Sequence, residues 1–99
     1  MRIGTTPTHT FELPFGSEMI KELQIVYAQN GQIILEKRLK DGNCDGNVFK
    51  VKLTQEETFL FDMHTIVKIQ VRVVTVDDNV VSSDIILRNP YQCLSQEVL

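Results

Sequence analysis

The chain has 99 residues and a formal net charge of −3, and 42% of its residues are hydrophobic, which suits one domain with a modest core. Its ten basic residues are scattered among thirteen acidic ones, so the charge pattern argues against nucleic acid as a main partner. No apolar run approaches the roughly 20 residues of a membrane helix, and the first residues lack the apolar region of a signal peptide. We therefore expect synthesis in the cytoplasm and no membrane partner.

Alternating apolar and polar residues predict strands in the first half of the chain. The first predicted strand covers residues 8–15, and three of its apolar residues share one face of an extended chain: Phe11, Leu13 and Phe15. Two further strands, residues 22–29 and 32–39, flank the pair Asn30-Gly31. This pair predicts a tight hairpin, because both residues tolerate the positive φ that a type I′ turn requires. In the second arm, alternation predicts that Ile33 faces inward and Ile34 outward.

Apolar and polar residues also alternate in the second half of the chain. Residues 48–54 predict a strand, residues 54–58 one helical turn with capping-box spacing, and residues 58–61 a short strand. The strongest pattern lies in residues 66–75, where long polar residues alternate with four β-branched ones: Val67, Ile69, Val71 and Val73. Residues 80–88 follow a polar turn and predict a second hairpin with that strand.

Six to seven short strands within about 100 residues predict an all-β protein. The favoured architecture is an immunoglobulin-like antiparallel β-sandwich, and the alternative is a small antiparallel β-barrel. We expect residues 1–99 to form a single domain. Residues 89–99 are predicted to be a C-terminal tail, because Pro90 interrupts the regular pattern there.

The segment DGNCDG, residues 41–46, matches the first half of a calcium-binding EF-hand loop. That loop needs a bidentate glutamate at its twelfth position, which counted from Asp41 is Lys52. Asp, Asn and Gly also favour ordinary turns, because their side chains bond the local backbone and accept left-handed geometry. We interpret the segment as a turn and predict no metal site.

Histidines and cysteines do not fall into a catalytic or metal-binding pattern. His9 and His64 lack a nucleophile or carboxylate at a recognisable spacing. Cys44 and Cys93 are far apart in sequence and are interpreted as free thiols of a reducing compartment. With no phosphate-binding loop or nucleophile elbow, we expect no enzymatic activity and no cofactor.

Apolar residues also occur on the nominally outward faces of the strands. Together with two residues of the C-terminal segment they form the candidate interaction surface: Val26, Ile34, Val74, Ile86, Tyr91 and Leu94. One explanation is that both faces of a central strand are covered within the domain. The other, which we favour, is that these residues contact a partner protein or a second copy of the chain.

Four segments, GTTPTHTFELPF, IVYAQNGQIILEK, VKLTQEETFLF and VKIQVRVVT, together resemble a family of small proteins of about 100 residues encoded in phages and prophages of Firmicutes such as clostridia. The order of these segments along the chain carries the resemblance. It implies a virion context, among tail or baseplate genes, and synthesis in a bacterial cytoplasm. It implies no catalytic residues.

The first functional hypothesis is therefore a structural or adaptor protein of a phage tail or baseplate, in contact with other phage structural proteins or with itself as a homo-oligomer. The alternative is a small prophage-encoded regulatory or inhibitory protein that binds a host protein. A third, less favoured hypothesis is a carbohydrate-binding module, which would require exposed aromatic side chains.

Overall fold

The structure is a computed structural model that describes residues 6–82, 85–90 and 97–98. The described residues form nine strands: β1 (Thr8–Glu12), β2 (Ile20–Gln29), β3 (Gln32–Arg38), β4 (Gly42–Asp45), β5 (Val48–Lys52), β6 (Val67–Thr75), β7 (Val80–Ser82), β8 (Ile86–Arg88) and β9 (Glu97–Val98). Among the elements whose bounds the structure describes, the helical ones are the four-residue helix α1 (Gln55–Thr58) and two 3-10 turns, Ser17–Met19 and Leu39–Asp41.

These strands form two sheets that pack as a sandwich, as predicted. The first sheet has the order β4–β5–β1–β9, and the second has the order β3–β2–β6–β7, with β8 also paired to β6. Pairing is antiparallel except between β1 and β9, which run parallel. The segment 89–99, predicted as a tail, therefore contributes a strand to the first sheet.

The core lies between the sheets, and every second residue of the long strands faces it. In β6, the four β-branched residues predicted to face inward are at most 5% exposed. They meet the inward residues of β2, among which Ile25 and Tyr27 are fully buried. The first sheet adds Phe11, Phe49 and Val51, all 2% exposed or less. Alternation thus places one apolar face of each sheet against the other, which is the main source of stability in such a fold.

Two tight turns have the predicted chemistry. Asn30 and Gly31 have φ of 53° and 74°, as a two-residue type I′ turn requires, and they join the paired residues Gln29 and Gln32. Between β6 and β7, Thr75 and Asn79 close the hairpin, and the last of the three residues between them, Asp78, has φ of 64°. Asp78 N–H donates to Thr75 O at 3.0 Å, so this loop is a β-turn followed by a left-handed residue.

Replacing Gly31 with alanine is expected to lower the free energy of unfolding by about 1 kcal/mol, because a Cβ atom is strained at positive φ. A Cβ atom at this position would meet nothing within 4 Å, so the loss of stability reports the backbone strain and not a steric clash. Urea denaturation would measure it, with Gln32→Ala as the control at the next position. An unchanged midpoint in Gly31→Ala would contradict the type I′ assignment.

The structure corrects three predictions about individual segments. Residues 58–61 do not form a strand, because the capping box at Thr54 and Glu57 continues into the turn at residues 59–60. Within DGNCDG, four residues form β4, and the turn is confined to Gly46 and Asn47. In β3, the register shifts by one residue beside Ala28, so that Ile33 is 65% exposed and Ile34 packs against the core. A β-bulge of this kind inverts the faces predicted by simple alternation.

Candidate interaction surface

The outer face of the second sheet carries two of the predicted interaction residues. Val26 and Val74 are half-buried there, on strands whose inward neighbours form the core. The register separates them by a polar row, in which Gln24 pairs with Arg38 on one side and Arg72 on the other. Val26 and Val74 therefore do not form one continuous apolar patch.

The other predicted residues lie elsewhere. Ile34 and Ile86 are half-buried and pack against the core cluster, because the bulge turns Ile34 inward and Ile86 pairs with the inward residue Ile69. Tyr91 and Leu94 lie outside the described residues, as does Cys93. The structure thus does not bring the six predicted residues together on one surface.

Ten large apolar side chains are exposed among the described residues; three of them, Phe59, Leu60 and Ile66, lie in the loop at residues 59–66. Four others lie along what we call the β7–β8 edge, residues 80–82 and 85–88. Four of its side chains are between 41% and 57% exposed: Val80, Val81, Ile85 and Leu87. Both strands pair with β6, through residues 72–74 and 67–69 respectively, so they lie one after the other along the same side of it. Most apolar side chains of this size are buried in a soluble domain, and a run of exposed ones marks a contact surface.

An apolar groove of about 290 Å³ lies beside this edge, between the two sheets. Its walls include the end of β1 with the following loop on one side and β6 with β7 on the other: Phe11, Leu13, Phe15, Val71, Val73 and Val81. Four of these residues belong to the buried core, so the groove opens the core to solvent at this edge. Glu12 and Ser82 are its polar lining residues.

The turn before β7 sets the position of the edge. Thr75 N–H donates to Asn79 O at 2.9 Å, and Thr75 Oγ1 donates to the carboxylate of Asp77. This side-chain bond, together with backbone N–H donors and despite a small opposing effect of burial, holds the pKa of Asp77 below its usual value. The turn therefore carries an ionised carboxylate at neutral pH and closes the hairpin immediately before Val80.

Sequence reasoning missed the polar contacts that hold α1 and the loop at residues 59–66. Gln29 is 4% exposed; its amide nitrogen donates to Asp62 O and Thr65 O, each at 2.8 Å, and its oxygen accepts from Asp62 N–H at 2.8 Å. Lys37 Nζ lies 2.6 Å from Glu57 Oε1 in a mostly buried ion pair. The available signal was a glutamine and a lysine at inward positions of strands, where such residues are rare unless paired.

The histidines and the described cysteine take structural positions. His9 is fully buried, and its Nδ1 lies 2.7 Å from Tyr27 Oη. His64 is exposed, and its backbone N–H donates to Asp62 Oδ1 at 2.9 Å. Burial, followed by the charges of Asp45 and Glu18, raises the pKa of the Cys44 thiol, which disfavours the reactive thiolate.

The residues of DGNCDG are arranged as a hairpin. Asp41 Oδ2 accepts from Arg38 N–H at 2.8 Å, and Asp45 pairs with Val48 across the turn at Gly46, where φ is 60°. Within the described part of the chain, no three His, Cys, Asp or Glu residues are grouped so that they could hold a metal ion.

Millimolar calcium is expected to leave the melting temperature unchanged, because the position of the bidentate carboxylate is occupied by the cation of Lys52. Differential scanning fluorimetry with calcium and with magnesium would measure this. A rise with calcium that disappears in Asp41→Asn/Asp45→Asn would contradict the prediction that this segment has no metal site.

None of the helices formed by the described residues has the length or apolar composition needed to cross a membrane. Comparisons of the chain with protein-family models, with curated proteins and with solved structures find no match.

Proposed function

We propose that this protein is a structural or adaptor component of a phage tail or baseplate that acts through protein–protein contacts. The resemblance of four sequence segments to small phage and prophage proteins supports the virion context. The observation that supports a contact function is the β7–β8 edge with its adjoining apolar groove, where core residues and exposed apolar side chains meet.

The physical argument rests on the cost of leaving this surface in water. Each square ångström of apolar surface removed from water contributes about 25 cal/mol, so covering four large exposed side chains and a groove favours association. A stable contact buries about 800 Å² on each partner, which corresponds to roughly 20–30 residues a side, whereas the β7–β8 edge has seven residues. We therefore expect the partner to cover neighbouring loops as well.

Mass spectrometry of purified phage particles from a host that carries this gene tests the proposal. A virion component is expected in the particles at a copy number that matches the symmetry of the tail or baseplate. Presence in infected cells together with absence from particles would contradict the proposal and favour the alternative, a small protein that binds a host target.

A further inference from the structure

β7 is the outermost strand of its part of the second sheet, and among the described residues no strand pairs with its outer side. All three of its residues are exposed, although its inner side pairs fully with β6. An edge strand in this state offers backbone donors and acceptors to which another extended segment can add.

The ladder identifies which backbone groups face outward. Thr75 N–H bonds to Asn79 O, so this pair closes the hairpin as a hydrogen-bonded pair. Bonded and non-bonded pairs alternate in an antiparallel ladder, which makes Val81 a bonded partner of β6. The N–H and C=O groups of Val80 and Ser82 therefore point away from β6, toward the position of an added strand.

The side chains of such a strand would meet the apolar groove. Val81 pairs with the inward residue Val73 and lines the groove. A residue of the added strand opposite Val81 points to the same side, into a space floored by Phe11, Val71 and Val73, each at most 5% exposed. Its immediate neighbours point to the outer face, beside Val80. Apolar side chains at alternate positions fit this arrangement.

Charge decides between a second copy and a different partner. Asp77 precedes β7 and Glu12 lines the groove, and neither forms an ion pair among the described residues, whereas Asp78 pairs with Lys21 at 2.9 Å. A second copy would bring the same acidic turn and the same net charge of −3 to this edge. The cation nearest to β7, Arg72, pairs with Ser82 and is exposed on the outer face of the sheet, and it does not line the groove. A segment that carries lysine or arginine at its ends therefore neutralises the acids at the groove and at the turn.

We propose that β7 binds an extended segment of another protein as an added strand, with apolar side chains at alternate positions filling the apolar groove and lysine or arginine residues at its ends. The inference rests on the proposed function, since it specifies the kind of segment that a neighbouring virion protein would insert.

Isothermal titration of the whole protein with synthetic peptides tests this inference. The probe is acetyl-Lys-Val-Thr-Val-Thr-Val-Lys-amide. One matched peptide has both lysines replaced by glutamate, and another has the central valine replaced by proline. The lysine peptide is expected to bind at least about tenfold more tightly than either, and its advantage over the glutamate peptide should shrink as salt rises from 50 to about 500 mM.

Protein variants locate the binding to the edge. Ser82→Pro removes an outward-pointing N–H at a position where an edge strand tolerates proline, and it should weaken binding about tenfold, whereas Ser82→Ala should not. Val81→Lys adds like charge beside the peptide and should also weaken binding at least tenfold. Ile33→Lys, at an exposed site on the opposite edge strand β3, should change affinity less than about twofold. Circular dichroism would confirm that all variants are folded.

Equal binding of the three peptides, or binding that Ser82→Pro leaves unchanged, would overturn the inference. So would a dimer in sedimentation equilibrium that Ser82→Pro dissociates, because a second copy would then occupy the edge. If Ser82→Pro enters phage particles as well as the parent protein does, the edge is not the contact while the proposed function stands. If the parent protein is absent from particles, the proposed function fails, and the peptide titrations still decide the edge.

Discussion

Replacing Ile69 with aspartate is expected to abolish cooperative folding of the domain. Ile69 lies in the middle of β6, is fully buried, and pairs with Tyr27 on one side and Ile86 on the other. An aspartate there either carries an unpaired charge into the core or must be protonated, and it also removes the packing of a large aliphatic side chain. The combined cost of several kcal/mol is comparable to the total stability of about 5–15 kcal/mol that a domain has.

The matched control is Lys68→Asp, one residue earlier in the same strand. Lys68 is exposed on the outer face of the second sheet, so this change introduces the same side chain without burial. We expect it to cost at most about 1 kcal/mol, mainly through the low strand preference of aspartate. Urea denaturation followed by circular dichroism would measure both variants. If Lys68→Asp unfolded the protein and Ile69→Asp did not, the assignment of the faces of β6 would be wrong.

Replacing Glu57 with glutamine is expected to lower the free energy of unfolding by about 2 kcal/mol, because the partly buried Lys37–Glu57 pair lies between a surface ion pair and a fully buried one. Glu57 Oε1 accepts from Lys37 Nζ at 2.6 Å and from Thr54 N–H at 2.8 Å. Glutamine can still accept from Thr54, but it leaves the ammonium of Lys37, whose side chain is 9% exposed, without a negative charge. The loss therefore reports the charge on Lys37 rather than the capping box.

The double variant Lys37→Met/Glu57→Gln separates these two contributions. Methionine fills a similar volume without a charge, so the double variant is expected to be more stable than Glu57→Gln by at least about 1 kcal/mol. If instead the two substitutions added without recovery, Lys37 would not depend on Glu57. Chemical denaturation of the parent, Lys37→Met, Glu57→Gln and the double variant gives the coupling free energy directly.

The same pair predicts a dependence on pH. Burial alone raises the pKa of Glu57, but hydrogen bonds from Lys37 and from the Thr54 backbone, together with the charge of Lys37, bring the pKa below its ordinary value of 4.5. Because the folded-state pKa is lower than the unfolded one, the carboxylate stabilises the fold fully above about pH 4.5 and progressively less as the pH falls below it. The difference in unfolding free energy between the parent and Glu57→Gln should therefore shrink as the pH falls from about 5 to below the ordinary value of 4.5. A difference that stays constant over this range would contradict the assigned shift.

Residues close together in the chain made parts of the fold predictable. The alternation in residues 66–75 predicted the buried face of β6, and Asn30-Gly31 predicted its turn, because both depend on local backbone preferences. The same reasoning failed at Ile33 and Ile34, where one extra residue in β3 relative to β2 reverses the faces. A bulge depends on how two strands pair, so the residue pattern of either strand alone does not predict it.

The sequence by itself determined that this is an all-β chain, which residues of its longest strands face inward, and where its tightest turns lie. Only the tertiary structure decided which strands became neighbours beyond the two predicted hairpins and, through them, where the core opens to solvent. The apolar groove joins Phe15, after the first strand, to Val81 in the seventh, and the Lys37–Glu57 pair joins β3 to α1. Local periodicity specifies the face on which a side chain lies, but the free energy of packing whole sheets together decides what that face contacts.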